Sequence, residues 1–229
     1  MTTKIAFIHT VGFLSDTFRQ LMRTEMPDVE CFHVLNESLL KDLLRGGPRE
    51  PVYRRVVEQI LLTSDAQPDL IVVTCSSTSP AVDIARRLVR QPVLKIDDPM
   101  AAQAVREGAR IGLLCTATST VGPSTALLQS HAAEQGMSVS IYPLVNPEAY
   151  VALMAGDRTR HDQLVRLSAA ELAPSVDVIV LAQASLAHLR DLLQEESPCP
   201  VLASPPLLMR DLAQRVAARP SSTPNDASS

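Results

Sequence analysis

Cys75 is the side chain best placed to do chemistry in this sequence. It stands in DLIVVTCSSTSP, residues 69–80, where a run of Leu, Ile and Val gives way to a thiol, four hydroxyl residues and a proline. A strand ending at Thr74 and a helix starting near Pro80 put the thiol at the carboxyl end of the strand. Proline suits the first helical turn and Ser79 is a fair N-cap. The unpaired N–H groups and positive dipole end of such a helix favour an anion. They also lower a thiol pKa from its free value of roughly 8.5. Ser76, Ser77 and Thr78 add hydroxyls and N–H groups suited to a carboxylate. The alternative is an inert cysteine packed as a small hydrophobe. Its position past the strand, among hydroxyls, favours a function.

A second hydroxyl cluster, TATSTVGPS at residues 116–124, follows another strand-like run. Ser119 and Thr120 there either cap the next helix or hold a carboxylate, and one residue can do both. The five histidines, at 9, 33, 131, 161 and 188, form no spaced cluster, and there is no HxxxH or CxxC, so the expectation is no metal site. His188 falls within reach of the same strand ends, where a lone histidine is more often a packing or surface residue. Neither GxGxxG nor a P-loop occurs, and no lysine has the setting of a pyridoxal phosphate anchor. Cys31 and Cys115 lie inside strand-like runs and read as core; Cys199 starts one and reads as structural.

These residues need strands to carry them. Runs suited to strands are 4–9, 29–35, 70–74, 93–96, 110–115, 138–142, 177–182 and 200–203. Helical patterns between them include 51–64, 80–90, 123–135, 160–172 and 186–194. The runs around Val73 and Val180 are apolar throughout, the pattern of parallel strands covered on both faces. Strand and helix alternate, so the fold class is α/β with parallel sheets flanked by helices.

The sequence repeats itself. KIAFIHT at Lys4 matches RIGLLCT at Arg110, 106 residues on; DLIVVTCSS at Asp69 matches DVIVLAQAS at Asp177, 108 residues on; QPVL at Gln91 matches CPVL at Cys199, again 108 on. Any two buried strands look alike, but shared order and register call for a duplication. Two similar lobes follow, with the ligand site in the cleft where strand ends face each other. We place the first lobe at residues 1–98 plus 205–218, the second at 99–204, and a disordered tail at 219–229. The cleft loops become 10–16, 74–79, 116–124 and 182–188. Thr10 then pairs with Thr116, Ser77 with Ser185, and Cys75 with Gln183.

Composition restricts the partners. The 229 residues are 46% hydrophobic, 20% charged and 3% aromatic, with no Trp and a net charge of −4. The basic residues are scattered, which argues against nucleic acid. No apolar run approaches the roughly 20 residues of a membrane span, and the N-terminal stretch has no secretory pattern, so the expected location is cytoplasmic with four reduced thiols.

The duplicated lobes, VVTCSSTSP, RIGLLCTATSTVGPS and DVIVLAQASLAHL together resemble the Asp/Glu/hydantoin racemase superfamily over residues 3–215. The resemblance implies cofactor-independent isomerase chemistry on amino acids or related small carboxylic acids, and a homodimer. Racemases of this kind use two thiols, one per lobe, to take and return the α proton. The first falls at Cys75. The second falls at Gln183, and an amide is no acid or base near pH 7. Ser185 or His188 could substitute; single-cysteine decarboxylation, covalent cis–trans isomerisation and carboxylate binding without turnover stay open. The expected catalytic pair is Cys75 and Gln183, and the expected substrate-binding residues are Thr10, Ser76, Ser77, Ser119, Thr120 and Ser185.

Overall fold

The computed structural model describes residues 2–218; the tail expected at 219–229 lies outside the described residues. The first half runs β1 (Lys4–His9), α1 (Gly12–Glu25), β2 (Glu30–Leu35), α2 (Glu37–Leu44), α3 (Glu50–Asp65), β3 (Leu70–Val73), a 3-10 turn (Ser76–Thr78), α4 (Pro80–Ala85) and β4 (Val93–Lys95). After α5 (Asp98–Glu107), the second half runs β5 (Arg110–Cys115), α6 (Thr118–Glu134), β6 (Ser140–Val145), α7 (Pro147–Met154), α8 (Arg158–Leu172), β7 (Val178–Leu181), a 3-10 segment (Ala184–Leu189), α9 (Arg190–Glu196), β8 (Val201–Ala203) and α10 (Ser204–Ala217).

The strands form two parallel four-stranded sheets of identical order, β2-β1-β3-β4 and β6-β5-β7-β8. The fold is α/β with two pseudo-symmetric lobes. Hydrogen bonds repeat with the sheets. Thr74 N donates to Ile8 O at 3.0 Å, and Ala182 N donates to Leu114 O at 3.0 Å. Asn36 N reaches His9 O and Asn146 N reaches Cys115 O, both at 2.9 Å. Asp69 takes the Lys4 N–H at 2.8 Å, and Asp177 takes the Arg110 N–H at 2.8 Å. The offsets of 106 and 108 are therefore structural equivalences.

Both sheets are covered on both faces, as their all-apolar central strands require. α5 and α10 each pack against the sheet they do not directly follow. α5 leaves β4 of the first sheet but places Met100, Ala101, Ala104 and Val105 in the core of the second. α10 leaves β8 of the second sheet but places Leu208, Met209 and Leu212 against Ile5, Phe7 and Val72 of the first. Each buried valine, leucine or methionine among them is worth about 1.5–3 kcal/mol, so this exchange ties the halves together.

Several local expectations change. β6 covers Ser140–Val145 rather than 138–142: Pro143 pairs with Leu113 on an edge strand, where a missing N–H is tolerated. α6 starts at Thr118, before Pro123 and not at it, so Ser119 and Thr120 belong to a first helical turn. α1 likewise starts at Gly12, inside the expected loop. α4 ends at Ala85 and tightens into i→i+3 turns, with Arg87 N on Ile84 O and Leu88 N on Ala85 O. The helix expected at 186–194 is a 3-10 segment followed by α9. Ser79 makes no capping bond, because its backbone is already helical (φ −55, ψ −31) and continues the preceding 3-10 turn.

Candidate functional site

A cavity of about 250 Å³ opens between the lobes at the carboxyl ends of the strands. Thr10, Thr74, Cys75, Ser76, Ser77, Thr120, Gln183 and Ser185 form its polar floor, and Glu37, Lys41 and Tyr150 add polar groups from α2 and α7. Of the eight expected catalytic and substrate-binding residues, Ser119 alone does not line the cavity. It lies behind Ser77, whose Oγ hydrogen-bonds Ser119 Oγ at 3.1 Å and Thr120 Oγ1 at 3.4 Å across the lobe boundary.

Cys75 and Gln183 occupy equivalent places. Each follows its strand in extended conformation, with φ −130, ψ 111 for Cys75 and φ −134, ψ 132 for Gln183, and each opens a 3-10 segment. Cys75 is 7% exposed. Its carbonyl accepts from Thr78 N at 3.2 Å and Thr78 Oγ1 at 3.1 Å, which holds the turn shut beneath the thiol.

Gln183 is locked. Its Oε1 accepts from Thr116 N at 2.5 Å, Thr116 Oγ1 at 3.1 Å and Ala117 N at 3.1 Å. Backbone N–H groups only donate, so the atom facing them must be the amide oxygen. The Nε2 amino group is then turned away from the cradle. The equivalent cradle in the first lobe is the end of β1 at Thr10 and Val11. A cysteine side chain is two bonds shorter than a glutamine and does not fill it. Thr10 Oγ1 is accordingly buried with no partner among the described residues.

A polar chain that sequence reasoning missed runs beneath Cys75. Thr74 Oγ1 donates to Ile8 O at 3.2 Å, so it accepts from His9 Nδ1 at 2.8 Å. His9 Nε2 then accepts from His33 Nδ1 at 2.8 Å, and His33 Nε2 faces Cys31 Sγ at 3.7 Å. His9 is thereby neutral with its proton on Nδ1, and His33 donates from Nδ1. Burial, the neighbouring ring and Arg19 push His9 down to about 3; burial and Arg19 push His33 down to about 4. The register pairs His33 with Phe7, its neighbour across β1 and β2, and the Phe7 ring stacks on both histidines. Two isolated histidines 24 residues apart give no sign of this until β1 and β2 pair.

Near Ser76 lies Asp97, buried and hydrogen-bonded by the Ser204 hydroxyl. Burial raises its carboxyl to about 6. Cys115, in the core of β5, is pushed up to about 12 by burial, as befits an inert thiol.

His188 faces away from the cleft. Its Nε2 bonds Asp162 Oδ1 at 2.9 Å and its Nδ1 bonds Ser185 O at 3.0 Å. Asp162 Oδ1 also takes His161 Nδ1 at 2.7 Å. The fold thus assembles a His161–Asp162–His188 group that spacing in the sequence conceals, with atoms able to ligate a metal lying within 4.8 Å of one another. His161 Nε2 is buried with no hydrogen-bond partner among the described residues.

The molecule is a two-lobed α/β protein with one thiol-bearing cleft at its strand ends. It belongs to the Asp/Glu/hydantoin racemase family, whose model matches residues 10–212. Its sequence is 26% identical over 156 residues to a glutamate racemase of Picosynechococcus sp., covering 66% of this chain and 54% of that protein. It is 26% identical over 202 residues to a glutamate racemase of Rippkaea orientalis, covering 82% of this chain and 66% of that one. The chain therefore spans less than two thirds of the length of these curated relatives. Its fold is that of the Picrophilus torridus aspartate racemase, with a TM-score of 0.71 at 12% identity over 95% of each chain. Among the described residues no helix is long and apolar enough to cross a membrane.

Proposed function

We propose that the protein is a cofactor-independent enzyme that transfers a proton at the α-carbon of a small carboxylic acid through Cys75. The observation that carries this reading is the placement of Cys75 and Gln183 at equivalent strand ends on one cavity. The Cys75 thiolate takes the α hydrogen as a proton. The C–H electron pair passes into the carboxylate to give an enediolate, and the thiol later returns the proton to carbon. Hydroxyls of Thr10, Ser76, Ser77, Thr120 and Ser185 hold the carboxylate and the charge that develops on it, with Ser119 positioning Ser77. Gln183 presents Nε2–H donors from the opposite face and acts as neither acid nor base toward the α-carbon.

A second reading has a specific support. With a locked amide opposite the thiol, protonation comes from one face. That suits a substrate that loses CO2: the C–C electron pair stays on carbon, the Cys75 thiol supplies the proton, and water reprotonates the thiolate.

The test is NMR in D2O with amino, hydroxy, aryl and malonic acids. Deuterium at Cα with loss of optical purity means racemisation, deuterium with retention means one-faced exchange, and CO2 release means decarboxylation. Turnover that survives Cys75→Ala unchanged would overturn the proposal. Gln183→Glu keeps the Oε1 lock and removes the donors, so turnover should fall without loss of fold by circular dichroism.

A further inference from the structure

We infer that the cavity takes a carboxylic acid whose α-substituent is apolar, an aryl or branched alkyl group, and which bears no second carboxylate. This rests on the reading of the strand ends as a carboxylate site and names the substrate class for it. Apart from the Glu37–Lys41 pair of α2 and Tyr150 of α7, the polar lining lies at the strand ends. The opposite side is built by α2 and α7, which are counterparts in the two lobes: each follows the asparagine, Asn36 or Asn146, that donates its N–H to the end of the central strand. α2 turns Leu40 and Leu44 to the cavity, a spacing of four that puts both on one helix face, and Leu153 and Met154 at the end of α7 line it too. Phe13 of α1 completes the wall.

Charge at this wall is absent or spent. Lys41 is the one basic residue that lines the cavity among those described, and its Nζ lies 3.1 Å from Glu37 Oε2, which lines it too. The pair sums to zero. Tyr150, the remaining titratable group on that side, is held neutral, since burial raises its phenol further. A second carboxylate would have to leave water for leucine, methionine and phenylalanine, with Lys41, already paired to Glu37, as the one cation on this wall among the described residues. An apolar group gains there instead. Phe13, Leu44 and Met154 are 46%, 38% and 60% exposed, so such a ligand would cover surface now facing water.

The experiment is titration calorimetry of the full chain with 2-phenylpropionate, 3-methylbutanoate, succinate and glutamate. The expected result is binding of the two apolar acids at least tenfold tighter than succinate or glutamate. Met154→Lys and Leu44→Lys, both at exposed positions, should narrow or reverse that ratio while the melting temperature stays near the parent's. Glutamate or succinate binding as tightly as 2-phenylpropionate overturns the inference, and so does the absence of binding by all four. Failure of the underlying chemistry reads differently. If the apolar preference is found but no acid gains deuterium at Cα in D2O, the proton-transfer proposal falls and the substrate class stands. If glutamate exchanges and binds best, the substrate class falls and the proton transfer stands.

Discussion

The two lobes share strand order, backbone hydrogen bonds and even the extended residue that ends the third strand of each, yet their strand ends are chemically opposite. In the first lobe His33, His9 and Thr74 make a hydrogen-bonded file, and Cys75 follows Thr74 in the chain. The second lobe has Cys115, Pro143, Ala182 and Gln183 at the matching positions. The file beneath Cys75 is ordered by hydrogen bonds of 2.8 Å, while the file beneath Gln183 is apolar and its polar order comes from the α6 entrance instead. A duplicated backbone constrains packing but leaves the strand ends open to different side chains. This chain uses one end to present a thiol and the other to present a fixed amide.

The sharpest way to break that contrast is to remove the thiol. Cys75→Ala should cut α-proton exchange by about 10²–10⁴-fold, as loss of a positioned acid/base group does, measured as deuterium uptake by NMR. Next is making the lobes alike. Gln183→Cys should convert exchange with retention into loss of optical purity, followed by polarimetry or chiral chromatography. It should also cost about 1–3 kcal/mol of stability, because Thr116 and Ala117 lose their acceptor. If Gln183→Cys leaves the stereochemical outcome unchanged, the amide is not what makes the chemistry one-faced.

A packing difference sharpens the comparison at lower stakes. Ala6 in β1 corresponds to Gly112 in β5, where an added Cβ would stand 2.7 Å from Leu172 Cδ2 and 3.1 Å from Val176 Cγ2. Gly112→Ala should therefore destabilise by about 1–3 kcal/mol by overpacking, while the protein already carries alanine at the counterpart position. Denaturant midpoints decide it.

The smallest effects are pH slopes. His9 and His33 have lowered pKa values in the fold, so their stabilising contribution is full above their ordinary 6.5 and is lost as the pH falls toward about 4 and then 3. Asp97 has a raised value, so its contribution is full below its ordinary 3.8 and is lost as the pH rises through about 6. Between pH 6 and 4 the two oppose. In melting curves across that window, Asp97→Asn should steepen the loss of stability on acidification and His9→Phe should flatten it. Parallel slopes in both variants would mean that neither group governs the window.

Much of this was legible in the sequence because it is local or repeated. Apolar runs of strand length marked the central strands, and the repeats at 106 and 108 set Cys75 against Gln183 and Thr10 against Thr116. The misjudged boundaries came from prolines taken as walls: Pro123 lies inside α6, and Pro143 lies inside an edge strand. The His9–His33–Thr74 file and the His161–Asp162–His188 group have no local signature at all. Their members meet only when the strands take their register or when α8 packs beside the segment after β7.

By itself, then, the sequence determined an α/β chain of two related halves, a thiol at one strand end and an amide at its counterpart, because burial periodicity and duplication are written residue by residue. Only the tertiary structure decided which way the amide faces, that Thr10 Oγ1 has no partner among the described residues while Thr116 Oγ1 does, and that α2 and α7 close a largely apolar wall over a polar floor. Those outcomes depend on hydrogen-bond directions and helix faces between residues far apart in the chain, and nothing local specifies them until the sheets have formed.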